Sequence, residues 1–210
     1  MKGLLWKDWY QVRSYMKTMY LIMLVVLAIW GMSVSDSPVF PISYAAIFLG
    51  ILPISLLSYD QASGWTEYSL TLPMSRKTLV AEKYLIGMGC AVGFVLLGMA
   101  FVLMRALSGA APEMEQFRMM LCCGFCTVLL MNALMLPLMY RFGAEKARML
   151  YFLTFALGGL LTGGGAALLD PLENIRPALG LVAAAGVLIV LVLYAVSWRL
   201  SVAWYGRYRK

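Results

Sequence analysis

The closest grouping of side chains that could act as nucleophiles or metal ligands is Cys122, Cys123 and Cys126. Cys122 and Cys126 have the spacing of one helix face. A zinc ion asks for four ligands, and the chain has no histidine and no carboxylate near the trio. A disulfide at i, i+4 within one helix is sterically poor. The three are expected to serve as small buried hydrophobes, with no bound metal. The missing histidine also removes the commonest general base. No Asp, Glu, Lys or Arg falls well inside any long apolar stretch. Both facts weigh against an intramembrane enzyme, and no catalytic residue is expected. Proton- or sodium-coupled carriers usually keep an intramembrane ionisable group, so the same absence weighs against a secondary transporter. No Gly-x-x-x-x-Gly-Lys-Ser/Thr occurs, so the chain lacks a P-loop. The run Gly158-Gly159…Gly163-Gly164-Gly165 has no lysine after it. If ATP drives this protein, the energy must come from another subunit.

Other polar and small residues fall inside the apolar stretches. Pro53, Ser55, Asn132 and Pro137 are the main polar or kinking points. They fit the lining of a pathway or the sites of kinks, since proline frees backbone groups that neighbours must satisfy. Gly89 with Gly93, and Gly159 with Gly163, form small-x-x-x-small pairs. Such pairs suit close helix packing, within or between subunits; local unwinding beside a substrate is the alternative for the second pair. The sixteen methionines fit an adaptable lining and equally ordinary apolar filler.

One loop stands out. Residues 60–83 run Asp60-Gln-Ala-Ser-Gly-Trp65-Thr-Glu67-Tyr68-Ser-Leu70-Thr-Leu72-Pro73-Met-Ser75-Arg76-Lys77 and on to Lys83. A short helix over about 62–70 would group Trp65, Tyr68 and Leu72 at i, i+3, i+7, with Pro73 stopping it. Ser75 can cap a second helix that continues through Lys83. A plain helix–helix connection needs about 2–8 residues. Two readings fit the surplus: a knob that docks a cytoplasmic protein through its aromatics, or a surface helix with its aromatics at lipid headgroups.

The elements around these residues follow from charge. The 210 residues are 62% apolar and 13% charged, with mean hydropathy +0.82. Soluble domains run near 45–50% apolar and about 25% charged, so a polytopic membrane protein is indicated, not a disordered or disulfide-stapled chain. Six long stretches carry no charge: Thr18–Ser35, Ser37–Tyr59, Tyr84–Met104, Met119–Tyr140, Met149–Leu169 and Pro177–Trp198. Each is near the roughly 20 residues a membrane helix needs. The segments on one side of these spans hold 14 basic residues and those on the other hold 3, while the ten acidic residues divide equally. By the positive-inside rule both termini are cytoplasmic. The net charge of +7 is expected to anchor helix ends and meet anionic lipid, not nucleic acid. An all-α fold of six transmembrane helices is expected, one domain over residues 18–210, its outer loops short. The outer turn at Asp170-Pro171-Leu172-Glu173 reads as capped by Asp170.

Residues 1–17 show no cleavable signal-peptide pattern. Leu5, Trp9, Val12 and Met16 fall on one helical face, with Lys7, Gln11, Ser14 and Lys17 roughly opposite. That is the pattern of an interfacial amphipathic helix; the alternative is a simple extension of the first span.

Three features together resemble the type-2 ABC-transporter permeases of bacteria, in particular the small six-span branch that includes permeases of the phenol-soluble-modulin exporter. The opening Met1-Lys2-Gly3-Leu4-Leu5-Trp6-Lys7-Asp8 is similar to that branch's short basic amphipathic start. Tyr59-Asp60 followed by Trp65 and Tyr68 is similar to its acidic-then-aromatic loop. The run Leu72-Pro73-Met74-Ser75-Arg76-Lys77, with Val80, Lys83 and Tyr84, resembles its most recognisable stretch. Gln61 and Gly64 stand where that pattern has more charge or helix former. The resemblance implies a permease in the bacterial cytoplasmic membrane that carries no nucleotide itself. ATP and Mg would be bound by a separate ATPase subunit in two copies, and a second permease subunit, alike or different, would complete the path. It further implies that the 60–83 loop holds a coupling helix, with Asp60, Trp65, Glu67, Tyr68, Leu72, Pro73 and Arg76 touching the ATPase. The expected function is export of hydrophobic or amphipathic cargo, such as peptides. The alternative is a non-transporting sensory or immunity component that docks a cytoplasmic partner.

Overall fold

The computed structural model describes residues 2–32, 39–107, 114–147, 149 and 179–205. The elements within them are α1 (Lys2–Gln11), a π-helical turn (Val12–Met16), α2 (Lys17–Met32), α3 (Val39–Ala62), α4 (Trp65–Ser69), α5 (Arg76–Leu107), α6 (Met114–Phe142) and α7 (Leu179–Trp204). Among the described residues four helices are long and apolar enough to cross a membrane: Pro41–Ala62, Arg76–Leu107, Phe117–Phe142 and Ala184–Trp204. The bent pair Lys2–Met16 and Tyr20–Ile29, which overlaps the first charge-free run, makes a fifth if it counts as one span. The four match the second, third, fourth and sixth charge-free runs. The expected fifth, with Gly159 and Gly163, lies beyond Met149 outside the described residues, as does the 170–176 turn. At 32 residues, α5 is about 48 Å long, against a hydrocarbon layer of about 30 Å. Its charged first turns therefore extend past the apolar layer. A π-helical turn ends the first limb, and the axis bends by 67° between Lys2–Met16 and Tyr20–Ile29.

Side-chain contacts fix the direction of each helix. Gly50 lies against Met131, and Gln61 donates to the Met139 carbonyl, so α3 and α6 run parallel. Ser197 donates to the Ala133 carbonyl and Arg141 stacks on Trp204, so α7 runs parallel to α6. Phe94 meets Gly124, and Gly98 meets Leu121, so α5 runs against α6. Tyr15 stacks on Tyr59, which starts α2 beside the end of α3. All these ends converge on one face of the bundle, here termed the base. Lys2–Gln11, α4 and the last described residue, Tyr205, lie there too. α7 thus begins at the end opposite the one where α6 finishes.

The core is the seam between α3, α5, α6 and α7. Leu56, Leu57, Val80, Phe94, Val128, Leu129, Leu136 and Met139 are almost wholly buried in it. Outward faces are as apolar as the core: Leu85, Val92, Leu96, Met99 and Leu103 on α5, and Leu188, Ile189, Val192 and Val196 on α7, are all exposed. A soluble monomer does not carry such a continuous apolar surface; a helix bundle surrounded by lipid does.

The glycines sharpen one expectation. Among the described residues a Cβ at Gly89 or Gly93 would meet nothing within 4 Å, so this pair packs against none of the helices described. The glycines at close approaches are Gly87, against Tyr194 and Asn132, Gly98, against Leu121, and Gly124, against Phe94. Spacing identifies a small-residue face but not which way the helix turns it. Pro53 and Pro137 sit inside α3 and α6, which continue through them.

Candidate functional site

At the base, five ionisable side chains from three elements meet. Lys83 Nζ lies 2.6 Å from Asp8 Oδ2 and 2.8 Å from Asp60 Oδ2. Lys7 Nζ donates to Asp60 Oδ1 at 2.7 Å and lies 3.0 Å from Asp8 Oδ1. Glu82 Oε1 stands 4.0 Å from Lys83. Asp8, Asp60, Glu82 and Lys83 are all buried. Burial pushes the Glu82 carboxyl up to about 8, which favours its protonated form at neutral pH. With the two cations and the Asp8 and Asp60 carboxylates, so close and out of water, it forms a group whose members hold one another in place only as a set. Burial pushes the Asp8 carboxyl up, but the charge and hydrogen bond of Lys83, a hydrogen bond with Glu82 and the charge of Lys7 together outweigh that and hold it below its ordinary range.

The cluster revises three expectations. Lys83 does not anchor a helix end in headgroups; its side chain is 3% exposed. Asp60 is 4% exposed, so it is not free to touch a partner subunit. The N-terminal helix turns its polar face inward: Leu4 and Asp8 are buried, and Lys7 and Gln11 partly so. Leu5, Trp6, Trp9 and Tyr10 face outward. Met16 is buried, not part of that outer face.

Above the cluster sits α4. α3 ends at Ala62, and Gly64 turns the chain with φ 73°, a left-handed conformation that favours glycine. The Gly64 carbonyl then accepts the amides of Glu67 and Tyr68. The helix is shorter than the 62–70 expected, because Gly64 interrupts it at one end and turns from Leu70 onward end it before Pro73. Ser75 caps α5 as expected: its Oγ accepts the Thr78 amide at 3.3 Å.

The loop's residues divide into two sets. Trp65 packs against the core, with Lys7 Nζ 4.7 Å from its ring centroid. Leu72 is half-buried. Glu67, Tyr68, Leu70, Pro73 and Arg76 are exposed. Beside α4 opens a cleft of about 550 Å³, bounded by Ser58, Gln61, Thr66, Glu67, Gly143 and Lys146 among others. Ser69 at the end of α4 is buried, its Oγ 2.7 Å from the Tyr205 hydroxyl. Burial raises the Tyr205 phenol's pKa and keeps it protonated.

A polar seam runs from there along α7. The Tyr84 hydroxyl lies 2.6 Å from Ser197 Oγ and 2.8 Å from Ser201 Oγ, and the Tyr194 hydroxyl donates to the Tyr84 carbonyl. Sequence reasoning missed this seam, although Tyr194, Ser197, Ser201 and Tyr205 recur at i, i+3, i+7, i+11 in an otherwise apolar helix. It also missed the ion cluster, whose signal was two adjacent pairs of opposite charge, Lys7-Asp8 and Glu82-Lys83.

Two other sets differ from expectation or sharpen it. Cys123 is exposed, and Cys122 and Cys126 only half-buried, so this trio faces outward instead of filling the core. Asn132 is fully buried: its Nδ2 donates to the Val128 carbonyl, and Oδ1 has no hydrogen-bond partner among the described residues. Asn132 and Pro53 lie inside the bundle, and Ser55 is half-buried.

No curated protein and no solved structure shows a significant match to the chain. A family model does: that of the ABC-2 family transporter protein, over residues 3–206. Since the match takes in α1, the ion cluster, α4 and every membrane-crossing helix described above, the chain belongs to the ABC-2 transporter family and is a multi-pass membrane permease of an ABC transporter.

Proposed function

We propose that this permease is half of the membrane pathway of an exporter in a bacterial cytoplasmic membrane, with its base facing the cytosol. A second permease subunit, alike or different, completes the pathway. Two copies of a separate ATPase bind ATP and Mg and dock on the base. The cargo is hydrophobic or amphipathic, peptides being the class that best suits a pathway with no ionisable group deep in the apolar spans.

One observation carries the reading: an exposed grip mounted on a buried seat. Glu67, Tyr68 and Leu70 project from α4, with Pro73 and Arg76 beyond them. Underneath, Asp60 is fixed in the ion cluster and Trp65 is held under Lys7. A partner can push such a helix without melting it. In this arrangement Asp60 and Trp65 position the coupling helix, while Tyr68 supplies the aromatic anchor typical of interfaces. Nucleotide binding in the partner would bias two arrangements of the bundle, passed on as rigid-body tilting of packed helices. Pro53, Ser55, Asn132 and Pro137 are the polar or kinked points nearest such a path. Gly89 and Gly93 offer their open face to the second subunit.

The test is recovery of the complex from native membranes, with mass spectrometry of what co-purifies. An ABC ATPase is expected. Tyr68→Ala is expected to lower its recovery about tenfold, the equivalent of ~1.4 kcal/mol, and Pro73→Gly to lower it less. Undiminished recovery in both variants would remove the docking assignment. A partner without an ATPase site would favour a non-transporting docking role.

A further inference from the structure

We propose that the Ser69–Tyr205 hydroxyl pair is the joint through which movement of α4 reaches the last membrane helix. The proposal rests on reading α4 as the ATPase-docking helix. That helix has only five residues and is flanked by the Gly64 turn on one side and the turns from Leu70 to Met74 on the other. Flexible flanks transmit displacement poorly, so force must leave α4 through its side chains. On its α1 side the link is Trp65 under Lys7. On its α7 side the link is Ser69.

Proton accounting gives this second link a direction. Ser69 Oγ donates its one proton to the Thr66 carbonyl at 2.8 Å. The Tyr205 hydroxyl, 2.7 Å away, must then be the donor to Ser69. Both side chains are nearly inaccessible, Ser69 at 1% and Tyr205 at 4%, so water does not compete for the bond. The Tyr205 ring is held edge-on against Tyr140, with centroids 5.4 Å apart, and Arg76 Nη1 reaches the Tyr205 carbonyl at 3.5 Å. The phenol is therefore fixed at both ends. One turn back on α7, Ser201 bonds Tyr84, and Ser197 bonds both Tyr84 and the Ala133 carbonyl. A push on α4 thus moves α7, and the Tyr84 seam carries α5 and α6 with it. Tyr205 and Ser69 are positioning residues: they touch neither ATP nor cargo.

The test uses the complex purified from native membranes with its ATPase. Spin labels replace Thr66, half-buried on α4 itself, and Leu200, exposed on α7, both outside the docking set. Distances are measured without nucleotide and after trapping with ATP and vanadate. In the otherwise wild-type chain the distance is expected to be the same in both states, because α4 and α7 move as one body. In Tyr205→Phe, which keeps the ring, trapping is expected to change it by at least the roughly 1–2 Å of a packed-helix shift. Ser69→Ala, which leaves Tyr205 intact, is expected to behave likewise and serves if the tyrosine variant fails to fold. A role confined to static packing would lower stability in both states without this nucleotide-dependent change. A wild-type distance that changes on trapping overturns the joint. So do variants that retain the ATPase yet hold the distance fixed. A wild-type chain that recovers no ATPase overturns the docking reading, and the joint with it.

Discussion

The two halves of α5 are held in opposite ways. Its first turns enter the bundle through charge and hydroxyl groups: Glu82 and Lys83 in the ion cluster, Tyr84 in the seam with α7. From Phe94 to Phe101 the same helix is held by steric fit among the described residues. Phe94 lies against Gly124, and Gly98 against Leu121. An apolar cavity of about 150 Å³ opens there, lined by Leu24, Pro41, Ile42, Phe101 and Met104 among others. Lipid tails compete on equal terms with apolar side chains, so steric fit decides packing in the hydrocarbon layer. At the base, bonds that lipid cannot supply tie the elements into a block. The base half is cross-linked, and the stretch from Phe94 to Phe101 is packed by shape.

The ion cluster should show the largest effect. Lys83→Met removes the cation between Asp8 and Asp60 and leaves those two carboxylates, beside the Glu82 carboxyl that burial pushes up to about 8, sharing Lys7 alone. Breaking one partner out of a buried set costs about 3–5 kcal/mol, so a marked loss of thermal stability in detergent is expected. A midpoint like the wild type's would show that the carboxylates find another counter-charge. Acid should act on the same site. Because Asp8 is held below its ordinary range when folded, its stabilising contribution is complete above the unfolded carboxylate pKa. It is lost as pH falls through the lowered folded value. Acidification should therefore weaken the wild type more steeply than Lys83→Met, as melting curves at successive pH values would read.

The distal half should break by volume instead. Gly124→Ala places a methyl into the Phe94 ring and Gly98→Ala one into Leu121. Overpacking of this kind costs about 1–3 kcal/mol, without the acid dependence that Asp8 gives the base. Tyr84→Phe comes next, at about 1 kcal/mol, the usual net worth of a buried hydrogen bond. Denaturation in detergent would rank the three. A Tyr84→Phe loss as large as that of Lys83→Met would mean that the seam, not the cluster, holds the base together.

How much of this could be read beforehand depends on whether the signal is local. A charge-free run of about 20 residues is a local property, and the four membrane-crossing helices described fall where such runs were expected. The Ser75 cap is local too, three residues from the amide it accepts. The ion cluster joins residues 7, 8, 60, 82 and 83, and nothing in any one segment says that Lys83 looks inward. Counted as a positive charge near a span, it supported the orientation and hid its partner. Asp60 was placed on the right loop and given a docking contact that its burial denies. Glycine spacing likewise fixed a face but not its direction, so the close packing fell to Gly87, Gly98 and Gly124.

That last point supplies the smallest and sharpest test. Gly87 and Gly89 are two residues apart on one helix, facing different surroundings. A Cβ at Gly87 would lie 2.6 Å from the Tyr194 hydroxyl and 3.4 Å from Asn132 Cγ, whereas one at Gly89 meets nothing within 4 Å among the described residues. Glycine within a helix costs roughly 0.5–1 kcal/mol relative to alanine. Gly89→Ala should therefore raise the stability of the isolated subunit slightly, while Gly87→Ala lowers it by displacing the hydroxyl that caps the Tyr84 carbonyl. Gly89→Leu should still fold as a single subunit but pair poorly with a second permease if that face is the interface. Monomer stability by denaturation and subunit pairing by cross-linking separate the two effects. Loss of both together in Gly89→Leu would place this face inside the subunit after all.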